Sequence, residues 1–381
     1  MRSLVVGTGS YVPQKVLTNA DLERMVQTND QWIVERTGIR ERRLAAPEEA
    51  TSDMGLHAAR RALEMAKVAP EEVELIVVGT VTPDYPFPST ATVIQGKLRN
   101  KRAFAFDVSA ACAGSMYALA IADRFVGSGA VRNALVIGAD TLSRITDWTD
   151  RNTCVLFGDG AGAVVLQASE APGGVLASVL GADGSGGEVL ILPAGGSALP
   201  TTMQTVAARQ HFGRMQGQQV FRFATRIMPE AARQVLQRAG RTIEDVVLFV
   251  PHQANDRILQ AAAKGLGVPE ERLFSNLARY GNTSSASIPI ALCEAIEQGL
   301  IKRDDLICCV GFGAGLTWAA AAIQWSLPLP VAAPPRPRQA WRWLRYRVAR
   351  LRSLWRRLWR LADARLFNIR YDENGRRKDK R

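Results

Sequence analysis

Cys112 stands where an apolar run, Ala103-Phe104-Ala105-Phe106, passes through Asp107-Val108-Ser109-Ala110-Ala111 into the helix-forming stretch Tyr117 to Ala122. A thiol at the first turn of a buried helix meets unsatisfied backbone N–H groups and the positive end of the helix dipole. Both favour thiolate, the form in which cysteine is a nucleophile. The competing role is a small core residue. A cysteine nucleophile needs partners that handle charge and protons. Of three histidines, His57 falls mid-helix and His211 lacks a strand-end context, whereas His252 follows the apolar run Val246–Val250. Asn282 follows Gly281 on a turn into another helix, where its amide could donate to a developing oxyanion or simply cap the helix. The loop Gly311-Phe312-Gly313-Ala314-Gly315 can bring a bare backbone N–H against a substrate.

The elements that must position these residues repeat. Helix from Ser52, strand at 75–80, helix from Ser89, the Cys112 strand and helix, then strands at 134–140 and 161–166 form one series. Helix 221–239, strand 246–250, helix 256–266, a short strand near Phe274, a helix from Ala286, then strands 306–310 and 316–323 form a second. The expectation is an α/β fold with a duplicated αβα unit, its halves at 1–170 and 171–326. In this alignment the elbow bearing Cys112 matches the one bearing Asn282. Cys112, His252, Asn282 and the Gly311–Gly315 loop all fall at strand ends, where ligands collect in such sheets. Residues 167–220 read as loops and hairpins.

The 381 residues include five cysteines without metal-ligand or framework spacing, so neither disulfides nor a metal site is expected. With no leader at Met1-Arg2-Ser3-Leu4, this points to a reducing, cytoplasmic setting. The net charge of +12 is local: residues 331–381 hold 17 Lys/Arg against 4 Asp/Glu, leaving 31 against 32 in the rest. A balanced body gives no reason to expect nucleic-acid binding there.

Asp-Val-Ser-Ala-Ala-Cys112-Ala-Gly, Pro-His252-Gln-Ala-Asn and Tyr-Gly-Asn282-Thr-Ser-Ser-Ala-Ser resemble the Cys-His-Asn triad of the β-ketoacyl-ACP synthase III family. The resemblance runs from residue 1 to about 326, with further family-like segments at Asp30–Arg43, Arg151–Gly162 and Gly311–Trp318. It implies a thiolase-like layered αβαβα fold, a homodimer and no cofactor beyond thioester substrates. It also implies acyl transfer from an acyl-CoA, acetyl-CoA above all, to Cys112 and decarboxylative condensation with malonyl-ACP. Backbone N–H groups of Cys112 and Ala314 would form the oxyanion hole. Thr28, Trp32, Arg36, Arg151 and Asn255 would contact CoA, while Arg222, Arg257 and Lys264 would receive the acidic carrier protein. Phe87 and Met116 would bound the primer pocket, with Ser115-Met116 departing from the family's usual aromatic. A specialised condensing enzyme, polyketide- or quinolone-like, would share the triad. A non-catalytic scaffold would not need it.

Past Trp325 the resemblance ends. Residues 327–340 are a Pro-rich linker. In 341–381, Trp341, Leu344, Val348, Leu351, Trp355, Leu358 and Ala362 recur at intervals of three and four, with arginines on other faces. This predicts a basic amphipathic helix and a charged end, with residues 341–367 suited to a membrane surface and the protein peripheral at its inner face. Docking on a protein, pairing with a second copy, and non-specific nucleic-acid binding are the other readings.

Overall fold

The computed structural model describes residues 1–327. The expected linker and amphipathic helix lie outside the described residues, apart from Leu327. Along the chain come strand β1 (Arg2–Tyr11), β2 (Lys15–Thr18), helices α1 (Asn19–Glu23) and α2 (Asp30–Thr37), β3 (Glu41–Leu44) and α3 (Thr51–Ala66). Next are β4 (Leu75–Gly79), α4 (Thr90–Leu98), β5 (Phe104–Val108), α5 (Gly114–Gly127), β6 (Asn133–Thr141) and β7 (Asp159–Ser169). The remainder holds β8 (Gly174–Ala182), β9 (Leu190–Ile191), α6 (Met203–Ala207), β10 (Arg214–Met215), α7 (Gly217–Arg238), β11 (Val246–Pro251) and α8 (Asp256–Leu266). Then follow α9 (Leu277–Tyr280), α10 (Ser287–Glu297), β12 (Leu306–Gly313) and β13 (Thr317–Gln324).

Two sheets share one plan. The first runs β1-β7-β6-β4-β5, antiparallel across β1-β7-β6 and parallel across β6-β4-β5. The second runs β8-β13-β12-β11 with the same alternation, antiparallel until the parallel β12-β11 pair. The expected short strand at Phe274 shrinks to one parallel bridge, Phe249↔Leu273, at the position of β5. β8 lies within the stretch expected to hold loops and hairpins, with Gly and Ala among its Val and Leu. It pairs with the alanine-rich β13, where small side chains are what fit.

Helices α3 and α4 cover the outside of the first sheet and α7 the outside of the second, with α8 packed against α7. Between the sheets lie α5 and α10. They are apolar on nearly every face, as a helix buried from both sides must be. Leu119, Val136, Leu292 and Ile307 share one central core, so that core draws on both halves.

Gly79 of β4 and Gly138 of β6 are partners in register, and each seats one elbow. A Cβ on Gly79 would fall 2.4 Å from the backbone of Gly114, and one on Gly138 would fall 2.2 Å from the Ser285 carbonyl oxygen. Glycine at both positions lets the turn bearing Cys112 and the turn following Asn282 rest side by side on one sheet.

Candidate active site

Cys112 lies in a single 3-10 turn, Ala111–Ala113, just ahead of α5. The matching turn is Ser284–Ala286, just ahead of α10. Ala111 and Ser284, the first residues of the two turns, both hold left-handed backbone, with φ of 47° and 51°. Such conformations cost a non-glycine residue about 1 kcal/mol or more and persist only where the surroundings impose them. The alignment therefore sharpens: the residue opposite Cys112 is Ser285, and Asn282 lies three positions earlier.

Cys112, His252 and Asn282 line one cavity of about 760 Å³, together with Trp32, Arg36 and Gly313. A second, largely apolar cavity of about 170 Å³ also reaches Cys112, with Val81, Leu142, Phe157 and Ala314 in its walls. Phe157, Leu190 and Met215 border both, so the two spaces meet at the thiol.

The thiol is not poised as a thiolate. Burial pushes Cys112 up to about 12 and the Asp140 carboxylate adds to the rise, while the Ser284 hydroxyl and the backbone N–H of Cys112 act the other way and lose. The helix-terminus argument captured the local groups and missed the desolvation that tertiary packing imposes.

His252 directly follows β11, and its backbone N–H donates to the Val310 carbonyl at 2.8 Å. Its ring is fully buried, edge-on to Phe312 at 5.2 Å between centroids. Burial lowers its pKa to about 3, so the imidazole is neutral around pH 7. Nδ1 sits 2.6 Å from the Ser287 hydroxyl, and Nε2 is buried without a protein partner. A hydroxyl can donate to Nδ1 or accept from it, so Ser287 supports either tautomer.

Asn282 is fixed by its backbone, whose N–H donates to Leu156 and whose carbonyl accepts from Gly158, at 2.8 and 3.0 Å. Its Oδ1 accepts from the Ser284 N–H at 2.8 Å, the local turn expected of asparagine. That leaves the amide N–H₂ for the cavity. Gly313 presses its backbone on the nucleophile turn, since a Cβ there would lie 2.7 Å from the Cys112 nitrogen. The Thr317 hydroxyl stands 2.9 Å from the Ala110 carbonyl and 3.0 Å from that of Ala314, tying together the two segments that carry the candidate oxyanion donors.

Other expected residues fall in several places. Trp32 and Arg36 line the larger cavity, and the Arg151 guanidinium stacks 4.5 Å over the Trp32 ring. The Thr28 hydroxyl is buried without a partner. Asn255 also lines the cavity, but its side chain is already engaged: Oδ1 accepts from the Arg257 N–H at 2.9 Å and its amide donates to the Arg36 carbonyl at 3.0 Å. Arg222 and Arg257 edge the same cavity, while Lys264 lies two turns further along α8, exposed and away from it.

One expectation needs correction, and another residue stands apart from both spaces. Met116 lines neither space that reaches Cys112. It points from α5 into the central core, where its own small cavity is bordered by Leu119 and Cys309. Phe87, in the segment before α4, is 86% exposed and lines neither space within its own chain.

Several residues of the site were not singled out from the sequence. Asp140, at the end of β6, is fully buried and collects donors from Thr80, Val81, Thr82 and Ser285. The Ser285 N–H donates to Asp140 Oδ2 at 3.0 Å, and its hydroxyl lies 2.7 Å from both that oxygen and the Gly79 carbonyl, donating to one of them at a time. The only signal was the run Ser284-Ser285-Ala286-Ser287 after Asn282, which places three hydroxyls at one helix start.

Two sheets of one topology, with a cysteine, a histidine and an asparagine converging between their strand ends, define a thiolase-like acyltransferase. Family models described as 3-oxoacyl-[acyl-carrier-protein (ACP)] synthase III and as its C-terminal part match residues 106–184 and 236–325. The beta-ketoacyl-[acyl-carrier-protein] synthase III of Caldanaerobacter subterraneus subsp. tengcongensis is 55% identical over 322 residues, 84% of this chain and 97% of that protein. The crystal structure of 3-oxoacyl-[acyl-carrier-protein] synthase III from Aquifex aeolicus VF5 is 49% identical, with a TM-score of 0.78 over 85% of this chain and 100% of that one. The priming beta-ketosynthase of the R1128 polyketide biosynthetic pathway is 39% identical, with a TM-score of 0.80 over 86% of this chain and 97% of that one. The chain belongs to the β-ketoacyl-ACP synthase III family of condensing acyltransferases.

Proposed function

We propose that this protein condenses a short acyl-CoA, acetyl-CoA first, with malonyl-ACP to give a 3-oxoacyl-ACP, the opening step of fatty acid synthesis. The observation that carries this reading is the shared cavity of Cys112, His252 and Asn282. Cys112 attacks the thioester while its proton passes to the neutral His252 Nε2 and on to the departing CoA sulfur. The backbone N–H groups of Cys112 and Ala314 hold the oxyanion. Between the half-reactions the imidazole gives up its Nδ1 proton and takes one at Nε2 by exchange with water in the cavity, so that Ser287 now donates to Nδ1 and Nε2 carries a hydrogen. That N–H and the Asn282 amide stabilise the enolate left when malonyl-ACP loses CO₂. The enolate carbon attacks acyl-Cys112, the C–S bond breaks, and the departing cysteine sulfur takes a proton from water, the one proton that the condensation consumes. Incubation with acetyl-CoA, followed by mass spectrometry of the Cys112 peptide and then addition of malonyl-ACP, tests the scheme. An acetyl adduct discharged as acetoacetyl-ACP supports it, and no adduct refutes it.

The apolar cavity is the primer site in this reading. Its volume of about 170 Å³ is several times that of a methyl group, a group of roughly water size at ~30 Å³. Restriction to acetyl therefore needs another group. β5 is an unpaired sheet edge carrying Phe104, 45% exposed and stacked with Phe106. A homodimer paired along this edge would cover it and carry the partner's Phe87 toward the primer site. Gel filtration of the full chain and of F104E tests the pairing, which requires a dimer for the first and a monomer for the second.

The R1128 likeness supports a second reading, a priming synthase of a specialised pathway with the same chemistry. A screen of primers against malonyl-ACP and malonyl-CoA separates the two.

The carrier protein is assigned to Arg222, Arg257 and Lys264, exposed on the neighbouring helices α7 and α8. No helix among the described residues is long and apolar enough to cross a membrane. For residues 341–367 we retain attachment to an anionic membrane surface, on the sequence pattern alone. The Caldanaerobacter relative is matched over 97% of its length, so almost nothing of it remains to correspond to this tail. Co-sedimentation of full-length and 1–327 protein with anionic vesicles tests the attachment, and equal binding by the two overturns it.

A further inference from the structure

The two walls of the apolar cavity come from different stretches of chain. Leu142, Ile145 and Thr146 lie on one side, and Leu190, Leu192 and Met215 on the other. The second wall belongs to an excursion between β9 and β10, which pair at its base through Ile191 and Arg214. Its helix α6 buries only Thr205, and Met203 and Val206 are 85% and 53% exposed. With so little apolar contact of its own, the excursion is held by polar links.

Two such links cross to the facing wall. The Gly213 N–H donates to the Ile145 carbonyl at 2.8 Å. The Arg209 guanidinium grips the Asp147 carboxylate with two prongs, Nε to Oδ2 at 3.1 Å and the second terminal nitrogen to Oδ1. Both partners are set in advance. Asp147 also accepts from the Thr149 N–H at 2.9 Å and hydroxyl at 2.7 Å. Arg209 lies in the left-handed turn after α6, with φ of 54°, and stacks 4.9 Å over Phe212. Arg209 holds the Asp147 carboxyl well below its ordinary range, so the pair is ionised throughout neutral pH.

We propose that the Asp147–Arg209 ion pair is a clasp that fixes the spacing of the cavity walls and so helps to select primer length. The inference rests on reading this cavity as the primer site. Bidentate arginine–carboxylate pairing constrains geometry in a way a single contact does not, and beside it stand the Gly213–Ile145 hydrogen bond and a bond from Arg209 to the Thr149 hydroxyl at 3.3 Å.

The test compares kcat/KM for hexanoyl-CoA with that for acetyl-CoA, with malonyl-ACP as acceptor, in the full chain. D147N and R209Q raise the hexanoyl-to-acetyl ratio about fivefold, the scale of one partly exposed ion pair. R209K keeps the charge without the fork and falls between them and the parent. The exchanged pair D147R/R209D returns the ratio toward the parent. Thermal unfolding of each variant checks folding, and R209Q, altered at a half-exposed side chain, remains informative if D147N does not fold. Ratios within about twofold of the parent in both single variants overturn the clasp. If the parent condenses neither primer, the functional reading fails and the clasp with it.

Discussion

The two elbows at the centre of the molecule have nearly the same backbone and opposite uses. In the first, left-handed Ala111 is followed by Cys112, whose side chain borders both cavities. In the second, left-handed Ser284 is followed by Ser285, whose hydroxyl is committed to Asp140 and Gly79. One copy exposes its central residue to substrate, while the other spends it on fixing the first. Duplication thus supplied two strained turns, and the side chains assigned them to chemistry and to support.

The largest effect should come from the residue with no substitute. C112A abolishes the acetyl adduct and lowers condensation by about 10³-fold or more, measured with acetyl-CoA and malonyl-ACP. N282A separates the half-reactions. Acetylation of Cys112 stays within several-fold of the parent, while decarboxylative condensation falls by about 10²-fold. Equal losses in both would show that Asn282 serves the elbow rather than the enolate.

The supporting elbow should register in stability. D140N turns one acceptor oxygen into a donor among groups that already donate, and should cost about 2–3 kcal/mol in denaturant unfolding. S285A removes one hydroxyl from the same network and should cost about 1–2 kcal/mol, with Cys112 still open to acylation.

Acid and alkali address two buried groups of the site separately, His252 after β11 and Cys112 on the first elbow. His252 has a pKa lowered to about 3 from 6.5, so below pH 6.5 the unfolded chain binds the proton that the folded one refuses. Stability is therefore present above pH 6.5 and lost as pH falls toward 3. Cys112 is raised to about 12 from 9.0, which stabilises the fold below pH 9 and loses that contribution as pH rises toward 12. The smallest observable follows from the same shift: alkylation of Cys112 in the free protein should show no inflection between pH 6 and about 9. An inflection near pH 7 would mean that the thiolate is stabilised after all.

Much of this arrangement was legible in the chain. Cys112 and His252 each follow an apolar strand that the sequence marks, whereas Asn282 follows α9 and a glycine turn. What escaped depends on register between the halves. Nothing local marks Ser285 as the counterpart of Cys112, because that follows only when Gly79 and Gly138 sit side by side. Asp140 is one acidic residue at the end of an apolar strand until its donors arrive from two segments, 80–82 and Ser285. The thiolate expectation failed for the same reason, since a helix terminus is local and desolvation is not. Met116 was placed by family position, but the direction of its side chain from α5 is set by the core around it. The strand expected at Phe274 lost its pairing because residues 274–276 turn toward α9 after one bridge.

The Asp140 carboxylate has one further consequence. Thr80, Val81 and Thr82 reach it from its own half, and Ser285 reaches it from the other. Cutting the chain between β7 and β8 would leave the first fragment with a buried anion short of its donors, and the second with a helix start short of its acceptor. Separately expressed fragments should therefore remain unfolded until mixed, although each carries a sheet of its own. The two halves are not independent, and the seam that joins them lies beside Cys112.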